Sequence, residues 1–441
     1  MNKKLMTLAV AGALTAPGLA VAQVGSSPGI TLYGRIDSAI MTNTYSAVKN
    51  AAGVETISEL KKGDIFQPGN EMGVRGREDL GGGTAVWFQL ATGIWTERLD
   101  TGTTTGNNWG GRNSALGFSS SMGDILYGLW DNPYKQSWGA GNIVNSGPFG
   151  QTGNIIGNGD TTGALPNAKC TSTVNNGTGA LATIPVCATE VTAGTTQFSR
   201  RTNNSIQYWS PVFSGVQVKL MTAVANYQSA SSATTATQPG TQKPKIWSGS
   251  VQWAQGPLTL AGGFESHEGF RQGTSATAVA NPKDTALALS GKWNFGPGQV
   301  GAIVEQLKYG NIAAPGALDN GVKQQNLMLN GSWNVGPGAI WASYSKTDGG
   351  KSCSELAAGK VLGCGSDGKA TQVSLGYDYI LSKRTKMYVA YSKFDNSSTS
   401  ATFAGTAYYY IAGPAANNTT AGGLAASTDV TTIAFGVQHT F

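Results

Sequence analysis

The feature that most constrains the fold is the run from Val430 to Phe441. Ile433, Phe435, Val437, His439 and Phe441 alternate with Thr432, Ala434, Gly436, Gln438 and Thr440. A period of two marks a strand with one mostly apolar face and one small or polar face. This strand runs out on an aromatic carboxy-terminal residue. In an open sandwich such a final strand leaves an unpaired edge. In a closed barrel it pairs with the first strand and no edge remains.

The rest of the chain supplies candidates for the ring. From Ile30 to Met41, Leu32, Gly34, Ile36 and Ile40 share one face, with Tyr33, Arg35 and Asp37 on the other. Charges alternating with aliphatics suit lipid outside and water inside. Met72 and Val74 then oppose Glu71, Arg75 and Arg77, and Val86, Phe88 and Leu90 oppose Trp87 and Gln89. Between them Asp79 to Gly83 makes a tight turn, because glycine reaches positive φ cheaply. The same alternation returns at Leu327, Leu329, Gly331 and Trp333, and at Val373, Leu375, Tyr377 and Tyr379. Ile303 and Trp341 break it, since both fall on the nominal water side.

Three near-copies, Trp253 to Pro257, Trp293 to Gly298 and Trp333 to Gly338, end a strand on an aromatic and follow it with a Gly/Pro hairpin. Aromatics at that level fit the girdle where a barrel meets the headgroups. The plainer alternative is a core tryptophan in a sandwich, but repetition at one kind of turn favours the girdle. Sixteen strands are predicted, starting near residues 30, 70, 84, 112, 124, 203, 216, 246, 258, 285, 299, 323, 339, 370, 386 and 430. An even count brings both ends of the chain to one side.

Composition agrees with this all-β reading. The chain has 62 glycines, 16 prolines and only 12% charged residues, a turn-rich profile. Mean hydropathy is −0.15, and no run approaches the ~18 apolar residues of a spanning helix. A barrel hides its apolar surface from such averages, because only alternate residues meet lipid. Met1 to Ala22 (1–22) reads as a secretory signal, with Lys3 and Lys4, an apolar run Leu5 to Leu14, and Ala20-Val21-Ala22 as the cleavage site. The barrel then occupies 23–441. The net charge of +6 falls to +4 without Lys3 and Lys4, too mild and dispersed to argue for nucleic acid. In an exported chain, Cys170 is expected to pair with Cys187, and Cys353 with Cys364, within Gly/Ser/Thr-rich loops. The longest connection, Asn132 to Arg200, is acceptable in a compact barrel if it folds into the lumen and narrows it.

Several stretches resemble Gram-negative general-diffusion porins. They are Leu32-Tyr33-Gly34-Arg35-Ile36-Asp37, Arg77-Glu78-Asp79-Leu80-Gly81-Gly82-Gly83, the run Asn203 to Gly215, the run Gly376 to Thr385, and the closing Gly436 to Phe441. The resemblance implies a 16-stranded antiparallel transmembrane β-barrel, a homotrimer, an inward-folded long third loop (about 132–200), and passive diffusion of ions and small hydrophilic solutes. It also implies an outer-membrane location among lipid and lipopolysaccharide, with Phe441 as the insertion signal read by the barrel assembly machinery. There are departures. The strand Asp124 to Trp130 offers Leu126 and Leu129 where the family often carries arginine, and Asn132 to Gly159 holds no carboxylate, with Asp131 and Asp160 flanking it.

No catalytic constellation, metal set or cofactor cradle is expected. His267 and His439 are the only histidines, and Gly81-Gly82-Gly83 is a hairpin turn rather than a phosphate cradle. The candidate pore lining is Arg35, Asp37, Glu71, Arg75, Arg77, Arg112, Asp131, Arg201 and Lys219, with Lys292 as a further wall cation; Glu265 and Asp378 also fall on the inward parity. Rings of charge set ion preference through the local potential. With mainly Arg and Lys on the wall, a modest preference for anions is expected. The alternative is a surface-binding or adhesion barrel that acts through its long outer loops.

Overall fold

The computed structural model describes residues 29–49, 55–67, 69–94, 110–144, 155–157, 171–175, 181–185, 198–224, 245–268, 283–309, 322–348, 369–396 and 429–441. The proposed signal and all four cysteines lie outside these residues.

Sixteen strands form the wall. They are β1 (Gly29–Tyr45), β2 in two segments (Leu60–Phe66 and Glu71–Gly81), β3 (Thr84–Gly93), β4 (Ser114–Ser120), β5 (Gly123–Asp131), β6 (Arg201–Trp209), β7 (Val216–Val224) and β8 (Lys245–Gln255). Then come β9 (Leu258–Glu268), β10 (Lys283–Asn294), β11 (Gly298–Tyr309), β12 (Val322–Val335), β13 (Gly338–Asp348), β14 (Lys369–Ile380), β15 (Thr385–Asn396) and β16 (Val430–Thr440). Each pairs antiparallel with the next, and β5 pairs with β6 across the long connection between them. The ring closes where β16 returns to β1, in register from Arg35↔Thr440 to Tyr45↔Val430. Phe441 extends that ladder, since its N–H donates to the Gly34 carbonyl at 3.0 Å and its carbonyl accepts from the Gly34 N–H at 3.1 Å. Its ring lies over Gly34, where a Cβ would collide with it.

The first segment of β2 corrects the sequence reading, which began this strand near Glu71 and left 60–66 in a polar loop. Leu60–Phe66 pairs with the far half of β1, from Ala39↔Phe66 to Tyr45↔Leu60. The second segment pairs with the near half, from Gly29↔Arg77 to Arg35↔Glu71. The ladder breaks opposite Asp37, and a side chain repairs it. Asn70 Oδ1 accepts from the Asp37 N–H at 2.6 Å, so this buried donor is paired.

The faces are inverted relative to a soluble protein. Leu32, Ile40, Leu289, Val304, Leu375, Ile433 and Phe435 are exposed on the outside, while Asn43, Gln207, Asn326, Gln372 and Thr432 are buried on the inside. The short connections gather at one end. In three near-copy hairpins Gly256, Gly296 and Gly336 sit at φ +58, +80 and +57. Beside them Trp293, Phe295 and Trp333 touch one another, with centroids 5.3 and 5.8 Å apart, and the two tryptophans are exposed. These aromatics are a girdle and not a sandwich core.

Closure gives the first prediction. Gly34→Val is expected to displace the Phe441 ring and to lower stability by ~1–3 kcal/mol, the usual cost of overpacking. A fall in the urea midpoint, followed by the heat-dependent mobility of the barrel in cold SDS, checks it; an unchanged midpoint counts against the Phe441 contact as a closing element.

Candidate pore lining and constriction

Alternation turns every second residue of the wall inward, and several of these are aromatic. Tyr33, Trp87, Trp341 and Tyr388 each face inward directly opposite a glycine, in the pairs Tyr33↔Gly73, Trp87↔Gly117, Trp341↔Gly376 and Tyr388↔Gly436. In all four the ring occupies the space a Cβ would take. The rings therefore lie flat on the wall. Trp87, reaching across Gly117, meets Trp130 and Trp209 at 5.8 and 6.5 Å. Lys219 Nζ sits 4.6 Å over the Trp209 ring and donates to Gln136 Oε1 at 2.6 Å. Trp87 and Trp209 are only 7% and 3% exposed, so this cluster is a wall element and not an open aromatic track.

The described parts of the long connection after β5 sit against this inner wall. Helix α1 (Pro133–Ser137) and the 3-10 turn Trp138–Ala140 follow Asn132 directly. Two wall glutamates hold them. Glu305 accepts from the Tyr134 hydroxyl, the Gly157 N–H and Asn326 Nδ2, each at 2.6 Å. Glu265 accepts from Asn132 Nδ2 at 2.8 Å and contacts His267 Nε2 at 2.6 Å. Ser290 Oγ donates to the Ser137 carbonyl, and Asn330 bridges the Ile143 N–H and the Gly141 carbonyl. Tyr134, Trp138, Ile156 and Phe198 pack with wall residues Ala286, Ala288, Ile303, Leu307 and Met328, while Val144 joins a cluster with Trp341 and Met41. The wall is small where the chain crosses it: a Cβ on Gly301 would strike the Gly141 carbonyl. Burial and the Glu305 carboxylate push the Tyr134 phenol well above its usual range, so it remains a donor.

Seven of the nine pore candidates fall into two groups. One is a cluster of opposite charges. Arg112 Nη1 lies 3.4 Å from Glu71 Oε2, while Lys135 Nζ and Arg201 Nε lie 2.7 and 3.5 Å from Asp131 Oδ1. Arg35 Nη2 donates to the Gly69 carbonyl. Asn113, next to Arg112 in the chain, accepts from Arg201 Nε and donates to Asp131. Burial, with Arg201 beside it, lowers the Arg112 guanidinium below its ordinary value, though a guanidinium stays charged at any physiological pH. The second group is Arg75 and Arg77 towards the short-turn end. Arg75 lies over the Tyr33 ring at 5.0 Å and Arg77 donates to Ser119 Oγ at 3.3 Å. Asp37 joins neither group, since it accepts from Tyr388 and Gln438 across the closing seam. Lys219 stands apart on the tryptophan cluster.

Sequence reasoning missed Tyr134 and Glu305 as site residues. His267 lies at the end of β9, where its side chain is buried and stacks on Phe198 at 4.4 Å. The signal for the docking strip was present in Ile303 and Trp341, whose inward parity is now explained by the chain that covers or adjoins them.

Comparison with known proteins follows from this geometry. Residues 7–399 match the family model described as Gram-negative porin. The chain belongs to that family. It is therefore an outer-membrane barrel of a channel family rather than of an enzyme family. It is 26% identical over 446 residues to outer membrane porin protein 32 of Delftia acidovorans, over 100% of both chains. Over 144 residues it is 33% identical to major outer membrane protein P.IB of Neisseria gonorrhoeae, covering 32% of this chain and 38% of that one. Among solved structures it shares the fold of an anion-selective porin from Comamonas acidovorans, with TM-score 0.61, 22% identity, and coverage of 94% of this chain and 100% of that one.

The two-glutamate anchorage generates a prediction. Glu305→Ala strands three donors, at ~1–3 kcal/mol for each buried group left unpaired. Tryptic cleavage after Lys135 is expected to accelerate about tenfold or more, and Tyr134→Phe, which removes one bond worth ~1 kcal/mol, to accelerate it several-fold. Cleavage at the wild-type rate in Glu305→Ala would remove Glu305 as an anchor.

Proposed function

We propose that the barrel is a water-filled channel for passive diffusion of ions and small hydrophilic solutes, with a weak preference for anions. The observation that carries the preference is unequal burial of the two signs. Among inward carboxylates, Asp37, Glu265, Asp284 and Glu305 are buried, and Glu265 and Glu305 are engaged by the loop segment. Arg75 and Arg77 stay half-exposed and carry no ion pair among the described residues. Arg112, Lys135 and Arg201 share only Glu71 and Asp131. The Delftia relative is named a porin and the Comamonas neighbour an anion-selective one, which agrees with this reading.

The loop 132–200 is read as the inward-folded third loop that narrows the channel, supported by the contacts of Tyr134, Gly141 and Gly157 with the wall. The protein is read as a homotrimer, exported by the signal 1–22 and inserted through recognition of Phe441 by the barrel assembly machinery. Cys170–Cys187 and Cys353–Cys364 are its proposed disulfides. A surface-binding role would rest on long loops outside the described residues, and no observation favours it.

Planar bilayers test the channel. Wild type is expected to conduct and to show a reversal potential of anionic sign across a KCl gradient, stronger at 0.1 M than at 1 M, where the screening length falls from ~10 to ~3 Å. Arg75→Ala with Arg77→Ala is expected to move that potential towards cations. A cation-selective wild type, or a double variant with no shift, overturns the preference; a wild type that does not conduct overturns the channel. In the same assay Gly376→Leu is expected to lower conductance, because it lifts the Trp341 ring off the wall into the bore.

A further inference from the structure

The interruption of β2 changes the strand's register as well as its pairing. Residues 67–70 stand opposite residues 36–38 of β1, so β2 carries one residue more than its partner there. Ile65, opposite Ile40, faces lipid. An even number of steps separates it from Glu71, so in an unbroken strand Glu71, Arg75 and Arg77 would face lipid with it. The added residue turns all three to the lumen. Bulges of this kind re-aim side chains beside functional sites.

The bulge also reaches two arginines. The Gly69 carbonyl accepts from Arg35 Nη2 at 2.8 Å. Gly69 sits at φ +71; Arg35 Nη2 lies 2.5 Å from the place a Cβ would take, and Arg112 Nη2 lies 3.8 Å from the same point. A glycine adopts that conformation without strain and leaves room for the guanidinium. Asn70 fixes the bulge to the strands on both sides. Its side chain accepts from the Asp37 N–H of β1 and donates to Gln67 Oε1 at 3.1 Å. Its carbonyl accepts from the Ile94 N–H, just past β3, at 3.4 Å. Arg112 hangs from the same strand, its N–H donating to the Ala91 carbonyl at 3.1 Å.

We propose that Gly69 and Asn70 are positioning residues for ion selectivity: the bulge in β2 holds the Arg35 guanidinium beside Arg112, so that both charges act on one point of the bore. This role rests on the selectivity reading above and adds the backbone element that sets the local field. Arg35 and Glu71 are directly opposite in the ladder, near enough for a flexible arginine to lie down on that carboxylate, which is already paired with Arg112. The Gly69 carbonyl is a neutral acceptor and holds Arg35 without cancelling its charge. Two guanidinium groups held close repel, and a loosely held pair would spread apart. Kept together they raise the potential that a passing ion meets. Asn70 acts through the backbone of Gly69, and Gly69 through Arg35, so neither needs to touch the ion.

Reversal potentials of the full-length protein in planar bilayers, across a gradient around ~0.1 M KCl where the screening length is ~10 Å, test this role. Gly69→Ala puts a methyl group where Arg35 Nη2 lies and leaves the Asn70 side chain in place. Asn70→Ala releases the bulge and leaves Gly69. Each is expected to move the potential towards cations by roughly half or more of the shift that Arg35→Gln produces. In an Arg35→Gln background neither is expected to move it further, because both act through Arg35; a general loosening of the wall would add in either background. Heat-dependent mobility in cold SDS shows that each barrel is closed, and Gly69→Ala decides the matter if Asn70→Ala does not fold. Shifts are compared, so a wild type of cationic sign overturns the anion preference and leaves this test in force. The positioning role falls if Gly69→Ala or Arg35→Gln keeps the wild-type potential, or if their shifts add.

Discussion

Within lipid a backbone N–H or C=O has no water to turn to, and each one left unpaired costs several kcal/mol. A sheet meets that demand only by having no edge. The seam between β1 and β16 is thus the contact on which the rest of the wall depends. It runs through eleven registered pairs and continues past the last strand residue through the two bonds between Phe441 and Gly34. The same demand explains the treatment of Asp37. Where β2 is interrupted, its N–H would face nothing, and Asn70 supplies the acceptor. Its carboxylate is then held by Tyr388 and Gln438 from β15 and β16. One residue therefore ties the weakest point of one neighbouring strand to the closing seam on the other side.

The interior obeys a second constraint, which is space. An inward aromatic standing upright would obstruct the bore, and the four ring-over-glycine pairs lay the rings down instead. Where the chain after β5 crosses the wall, Gly301 lets backbone approach backbone and Gly263 makes room for the Ser137 side chain. Docking also redistributes charge. Glu265 and Glu305 are covered as they accept hydrogen bonds from the segment, and so present little field to a passing ion.

Much of the wall was legible because its physics is local. Period-two alternation and glycine-rich hairpins placed fifteen of the sixteen strands within two residues of their observed starts, and the girdle could be read from three repeated turns. Leu60–Phe66 escaped because its outward residues, Lys61, Gly63 and Ile65, follow no apolar alternation; its place comes from β1. The charge cluster was half legible. Parity put Arg35, Glu71, Arg75 and Arg77 on the inner wall. Nothing local links Asn113, Asp131, Lys135 and Arg201, which meet only because β5 and β6 pair across a long insertion. Glu305 was invisible for the same reason: its partners Tyr134 and Gly157 lie 171 and 148 residues away.

Those failures share a direction that can be used. In a barrel the inward parity is normally polar, so an apolar side chain there needs a cover. Ile303, Leu307 and Met328 are inward, fully buried and contiguous across β11 and β12. They had the wrong character for water, and Ile303 was already visible as an exception to the pattern. A run of such exceptions on adjacent strands marks where a segment from elsewhere in the chain must lie. The length of Asn132 to Arg200, the longest connection, already named the segment able to reach. Parity errors on the wall and an oversized loop are two halves of one tertiary contact, and either alone is ambiguous. Together they locate the docking strip before any side-chain distance is known.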